Sequence, residues 1–141
     1  MDPLSIIVSI VGIVEAGTTV ASSLYTLVQT VRHAPKEMKA VAKEMQNLNL
    51  VLEHLLDILS NGGENLATSR YTRGVESAVK NIKKTQDKIL GMIRDRSIVN
   101  RLRWQRAKTL LVDIEAHKNT ISMQATILTL AVVTKNKGYG C

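Results

Sequence analysis

The sequence predicts an all-α protein, an up-down bundle of four long helices, and three observations carry that prediction. Leu, Ile, Val, Ala, Lys and Glu dominate long stretches broken by only two prolines, Pro3 and Pro35; these are strong or tolerated helix formers. Apolar residues recur in steps of three and four along four segments, and nowhere do they alternate with the period of two that a strand needs. With 141 residues, 45% hydrophobic and 22% charged, the chain is long enough for one domain with a real core.

The first segment spans about 3 to 32, stops before Pro35, and has Gly17 as its candidate break point. Pro35 suits the entry to the next helix, because its fixed φ costs nothing in a first turn. That helix, about 36 to 60, carries the clearest seam: Met38, Val41, Met45, Leu48, Leu52, Leu55 and Leu59, widened by Val51 and Leu56. "SNGG", residues 60 to 63, is expected to end it through a left-handed glycine. The third, about 70 to 95, turns Val75, Val79, Ile82, Ile89 and Ile93 inward and Lys80, Lys83, Lys84, Lys88 and Arg94 outward. The fourth begins after Ser97 or, more securely, around Trp104 and reaches about Val133 through Leu111, Ile114, Ile121, Ala125, Leu128 and Val132. Residues 1 to 134 thus form the bundle, and "KNKGYGC", residues 135 to 141, reads as a flexible tail or the start of a linker.

The net charge of +7 is concentrated. Between Arg70 and Lys108 stand twelve Lys or Arg against three acids, Glu76, Asp87 and Asp95, a local +9 that leaves about −2 elsewhere. A polyanionic partner is the natural complement of such a stretch, and a solvated face is the plainer reading. Nucleic acid is a poor fit, since only Tyr71 and Trp104 lie nearby to stack on bases. Trp104 itself could anchor at a membrane interface or plug the core. The single cysteine, Cys141, allows no disulfide within the chain and suits a reducing, intracellular setting.

Catalytic and cofactor signatures are missing from the sequence. A di-metal bundle needs Glu three residues before His, and Thr30, Val51 and Ile114 hold those positions ahead of His33, His54 and His117. His54 near Glu53 and Asp57, and His117 one turn from Asp113, read as surface or boundary pairs. Gly62-Gly63 lacks the Lys-Ser or Lys-Thr of a phosphate loop, and no serine sits in a nucleophile elbow. The expectation is a protein that is not an enzyme and holds no metal or cofactor.

The opening "PLSIIVSIVGIVEAGTTVASSLYTLVQTV" carries one charge, Glu15. Asp2 in place of a basic n-region argues against a secretory signal. The uncharged run after Glu15 is short for a permanent span, and Thr and Ser dilute it. Ser5, Ser9, Gly12, Ala16, Thr19 and Ser23 step by four and three along one ridge, with Ile6, Ile10, Ile13 and Val20 on another. Small ridges let helices approach closely, in membranes as in water. At rest the segment is expected to be a central core helix packed on all sides. Released, it could self-associate along the small ridge and enter a bilayer with Glu15 facing a water-filled lumen, since a lone carboxylate in lipid is costly.

"MDPLSIIVSIVGIVEAGTTVASSLYTLV", "HAPKEMKAVAKEMQNLNLVLEHL" and "RWQRAKTLLVDIEAHKNTISMQATIL", in that order, resemble the fungal HeLo-like N-terminal domain. The likeness lies in the opening Met-Asp-Pro-Leu-Ser, the Ala-Pro-Lys-Glu before the second helix and the Trp ahead of the last, and it covers essentially the whole chain. The resemblance implies a helical bundle of NOD-like receptors and related STAND proteins that executes programmed cell death. It implies cytoplasmic residence at rest, an upstream receptor or other activator, oligomerisation, exposure of the N-terminal helix and permeabilisation of the plasma membrane. On that reading Ser5, Ser9, Gly12, Glu15, Ala16 and Thr19 would serve insertion and self-association, and Lys80, Lys83, Lys84, Lys88 and Arg94 would meet anionic lipid or an acidic partner. The rival expectation is an adaptor that signals by helix-to-helix association and never inserts.

Overall fold

The computed structural model describes residues 3–30, 35–61, 68–94, 104 and 107–139. These form four helices and, among the described residues, no strand: α1 (Pro3–Thr30), α2 (Lys36–Ser60), α3 (Ser69–Arg94) and α4 (Lys108–Tyr139). The direction alternates along the chain. α1 packs on α2 and α3, and α4 packs on the same two, so the order around the bundle is α1, α2, α4, α3. α1 and α4 therefore occupy opposite corners.

Local chemistry fixes several of the ends. Pro35 precedes α2 with φ −58° and ψ 140°, and its carbonyl accepts from Met38 N–H. Thr68 starts α3: its hydroxyl oxygen accepts from Tyr71 N–H at 3.1 Å, and its carbonyl accepts from Thr72 N–H, satisfying donors a helix N-terminus leaves open. α2 ends where expected, at Ser60. Asn61, with an ordinary φ of −101°, donates its backbone N–H and side-chain amide to the Asp57 carbonyl. Gly62 and Gly63, expected to close this helix, lie outside the described residues.

The α2 seam is buried throughout, from Met38 to Leu59. Val75, Ile82 and Ile89 of α3 and Ile114, Ile121, Ala125 and Leu128 of α4 meet it, while Val79, Ile93, Leu111 and Val132 are half-buried at the edges. Trp104 is wholly buried, which makes it a core plug rather than an interface anchor. α4 starts four residues after Trp104 and runs on to Tyr139, so residues 135 to 139, expected as a tail, continue the helix. Lys135 suits that position, where cations meet the negative end of the helix dipole.

Two expectations for α1 are corrected. The helix is continuous through Gly17, and it is an outer helix with a single buried face: Ile6, Ile10, Ile13, Gly17, Val20, Ala21 and Leu24 point inward, and Leu4, Val8, Val11 and Glu15 outward. Gly17 does not break the helix because its role is in packing. A Cβ there would overlap the Asn49 amide oxygen and lie 2.9 Å from Asn49 Cγ. At Gly12 an added Cβ would meet nothing within 4 Å.

These two glycines should therefore respond oppositely to the same change. Gly17→Ala is expected to cost about 2 kcal/mol by forcing the buried amide from its seat. Gly12→Ala should leave stability unchanged or raise it by about 0.5–1 kcal/mol, through better helix propensity. Urea unfolding of both variants measures the difference.

Candidate membrane-active site: the first helix and the basic face of the third

α1 is joined to its neighbours by two buried carboxamides. Asn49 of α2, 7% exposed, donates from Nδ2 to the Val14 carbonyl and to Thr18 Oγ1, both at 3.1 Å. Gln86 of α3, 2% exposed, donates from Nε2 to the Ile13 carbonyl at 2.9 Å. Carbonyls keep a second lone pair after the helical bond is made, so both contacts add to the ladder without breaking it. Asn49 Oδ1 is buried against Gly17 with no hydrogen-bond partner.

Because Asn49 binds residues 14 and 18, α2 lies on that shoulder of α1. Helical geometry then puts Ser5, Ser9, Gly12, Ala16, Thr19 and Ser23 on the opposite shoulder, toward α3. Ser9, Ala16 and Ser23 are half-buried there, and Ser5, Gly12 and Thr19 are exposed. The small ridge is thus a single face of α1, as expected, and Glu15 lies beside it in solvent. Its hydroxyls look inward to their own helix: Ser9 donates to the Ser5 carbonyl and Thr19 to that of Glu15, as Thr18 on the other shoulder does to Val14. Hydroxyls bonded this way lose less on leaving water than hydroxyls that depend on it.

α1 is long and apolar enough to cross a membrane. Its span Leu4–Thr30 has a mean hydropathy of 1.9, and 33% of the most apolar stretch is buried. Length and composition alone do not distinguish a span from the core helix of a soluble protein, and α1 has both a core-facing side and an exposed outer one. Leu4 and Val8 are 67% and 72% exposed. Val11, Leu50 of α2 and Met123, Ile127, Leu130 and Val133 of α4 are exposed as well. All of them belong to the half of the bundle where α1 and α3 begin and α2 and α4 end.

Lys80, Lys83, Lys84, Lys88 and Arg94 are all exposed, and with Arg70 and Arg73 they make the outer face of α3 a basic ridge interrupted by Glu76 and Asp87. Lys80 pairs with Glu76 at 3.4 Å, a surface contact worth little. Gln86 faces α1 and Thr85 faces α4 through a 2.8 Å bond to His117 Nε2. Lys83, one turn before Gln86, therefore stands on the α1 side. Among the described residues no three His, Cys, Asp or Glu gather as a metal site. The polar clusters elsewhere are structural in form: Lys118 bridges Glu44 of α2 and Glu115 of α4, and Tyr71, its hydroxyl pushed up to about 12 by burial, donates to the Gln124 carbonyl at 2.8 Å.

Asn49 and Gln86 were not singled out by the sequence reading, yet both carry a signal. Each occupies a seam position, Asn49 between Met45 and Leu52 and Gln86 between Ile82 and Ile89, in steps of four and three. A polar side chain in an apolar stripe is buried at a cost unless it is bonded.

Two measurements test this arrangement. Asn49→Ala should raise hydrogen exchange of the α1 amides around Val14 to Thr18 by about tenfold or more, the equivalent of about 1–3 kcal/mol for a lost buried bond, and should affect α4 less. His117 is held below its usual pKa by burial, partly offset by Asp113. A depressed histidine pKa means the unfolded chain takes up the proton first, so stability should be full above about pH 6.5 and fall as the pH drops through the folded value. His117→Gln should flatten that slope in urea midpoints recorded between pH 7.5 and 5.5.

Comparison with known proteins adds one finding. A family model described as "Pigment biosynthesis cluster protein PigL N-terminal" matches residues 1–136, which includes all four helices apart from the last residues of α4. No curated protein and no solved structure matches the chain. By the extent of that match, the chain belongs to the PigL N-terminal family.

Proposed function

We propose that this domain is a non-catalytic, membrane-targeting execution module of the HeLo-like kind. It would reside in the cytoplasm at rest and act at the plasma membrane, where the α3 ridge docks on anionic lipid and α1 inserts as an oligomer to permeabilise the bilayer. The observation that carries the reading is the state of α1: a helix of membrane-spanning length and apolarity lies on the outside of the bundle, attached by one face, the buried carboxamides of Asn49 and Gln86 and an exposed Tyr25–Gln46 hydrogen bond. Leaving the bundle breaks few polar contacts, and the hydroxyls of Ser9, Thr18 and Thr19 are already bonded to the helix backbone.

The ridge supplies the targeting. Each basic side chain near an anionic leaflet contributes about 1 kcal/mol, so three or four of Lys80, Lys83, Lys84, Lys88 and Arg94 would concentrate the protein at such a surface. Close helix approach through Ser5, Ser9, Gly12, Ala16 and Thr19 would then favour self-association in the bilayer. Glu15 would be placed toward water in the assembled lumen. Activation would come from an upstream receptor or other partner that competes for the α1 contacts.

Dye release from vesicles with and without anionic lipid tests the proposal. The 141-residue chain should release dye only from anionic vesicles. Gly12→Leu should keep the fold, since its side chain enters open space, while reducing release; Glu15→Lys should change conductance in planar bilayers. If the folded protein releases nothing, or both variants behave as the parent does, insertion of α1 is wrong and an adaptor working through helix association takes its place.

A further inference from the structure

Leu4, Val8 and Val11 form an exposed apolar row on the outer face of α1, and the two flanks of that row carry opposite charge. On one side lies α2, antiparallel to α1 and joined to it by Asn49 at Val14 and Thr18 and by Gln46 at Tyr25. One and two turns beyond Asn49 on the same stripe, exposed Glu53 and Asp57 stand beside the row. On the other side lies α3, parallel to α1 and joined to it by Gln86 at Ile13. Exposed Lys83, one turn before Gln86, stands beside the row there, as does Lys80, which is shared with Glu76 at 3.4 Å; Asp87 follows Gln86 and lies past the row. We infer that the row is a self-contact, in which the α1 rows of two copies of this chain pack on each other with their helices parallel, each helix still seated in its own bundle.

The flanking charges favour a second copy as the cover and decide how it sits. When two copies face each other about a two-fold axis parallel to the helices, the left flank of each meets the right flank of the other. Glu53 and Asp57 of each α2 then lie over Lys83 of the other α3, and the pairing occurs twice. A two-fold axis across the helices would instead set α2 over α2 and α3 over α3, like charge over like. An anionic bilayer is the poorer cover for this face, because it would meet Glu53 and Asp57 as well as Lys83. Gly12 extends the ridge of Leu4 and Val8 in steps of four, and a Cβ added there would meet nothing within 4 Å, so a second helix can approach closely. Ridges of this step favour a crossing of about 50°. At that angle the helices separate sideways by about 9 Å between Val8 and Glu15, which keeps the two Glu15 carboxylates from opposing each other.

Each copy offers the same patch, so the contact is isologous and closes at two chains. Both α1 helices then point their N-termini the same way, the orientation that joint entry into one bilayer requires. This inference rests on the oligomerising part of the proposed function and places its first step in solution, before any insertion.

Disulfide formation in solution, without lipid, tests it. In a Cys141→Ser background, Val8→Cys places one thiol at the centre of the contact, at an exposed position that leaves the core intact. It should form disulfide-linked dimers at a clearly higher initial rate than Val112→Cys, an exposed position on α4 that serves as the collision control. Glu53→Lys and Lys83→Glu, both surface changes, should each slow the pairing of Val8→Cys by about fivefold or more, because every dimer exchanges two attractions for two repulsions. Carried together on one chain, they should restore it. Urea midpoints matching the parent show that each variant is folded. Val8→Cys pairing no faster than the control overturns the contact. Pairing that ignores the single charge changes, or that the double variant does not restore, overturns it as well, since antiparallel packing sets each position over itself. Vesicle leakage by a chain that fails this test would leave the membrane reading standing and the row contact refuted, and pairing without leakage would do the reverse.

Discussion

The seat of Asn49 on Gly17 is the constraint on which the placement of α1 depends. An amide buried in an apolar seam must find partners, and Asn49 finds them only where α1 offers the Val14 carbonyl and the Thr18 hydroxyl beside a residue with no side chain. Sliding α1 by one turn would bring Ile13 or Ala21 against the amide, with overlap and an unpaired donor as the result. Gln86 imposes the same discipline from α3 through the adjacent carbonyl of Ile13. Apolar packing alone would tolerate several registers of so uniform a helix, and two directional contacts select one.

A helix fixed in this way can be apolar on its outer face without losing its position. That separates two tasks which a fully buried helix would confound, being held and being hidden. α1 is held but not hidden. Its outward leucine and valines contribute nothing to the core, and Ser9, Thr18 and Thr19 need little from solvent because their hydroxyls return to the helix backbone. The attachment of α1 to the bundle therefore has an energy set mainly by one face of Ile6, Ile10, Ile13, Val20 and Leu24 and by its hydrogen bonds with Asn49, Gln86 and Gln46.

Much of this was legible in the sequence, and the exceptions have physical causes. The α2 seam was readable because its apolar stripe is narrow and its outer face charged, so periodicity points in one direction. The inward and outward sides of α3 were readable for the same reason. α1 was misplaced because a helix apolar nearly all round gives periodicity no contrast, and complete burial is then the default inference. Gly17 is a candidate break in the sequence, whereas tertiary packing against Asn49 determines its role. The end of α4 was set too early, since Asn136 and Gly138 suggest a stop on propensity alone. The small ridge and the lysine face were found as surfaces. What joins α1 to α2 and α3 was missed, because two amides in a seam look like dilution until their acceptors are known.

The arrangement around the bundle gives these details a common logic. α1 and α4, the helices with least contrast between their faces, stand at opposite corners; α2 and α3, with charged outer faces, separate them. A bundle of four such helices in another order would place two apolar corners side by side and make one large exposed patch, the kind of surface that drives indiscriminate association. Alternation breaks the apolar surface into two smaller ones divided by charge, acidic along the later part of α2 and basic along α3. Any partner that meets either surface must then satisfy the neighbouring charges as well, which restricts geometry in a way that apolar burial cannot.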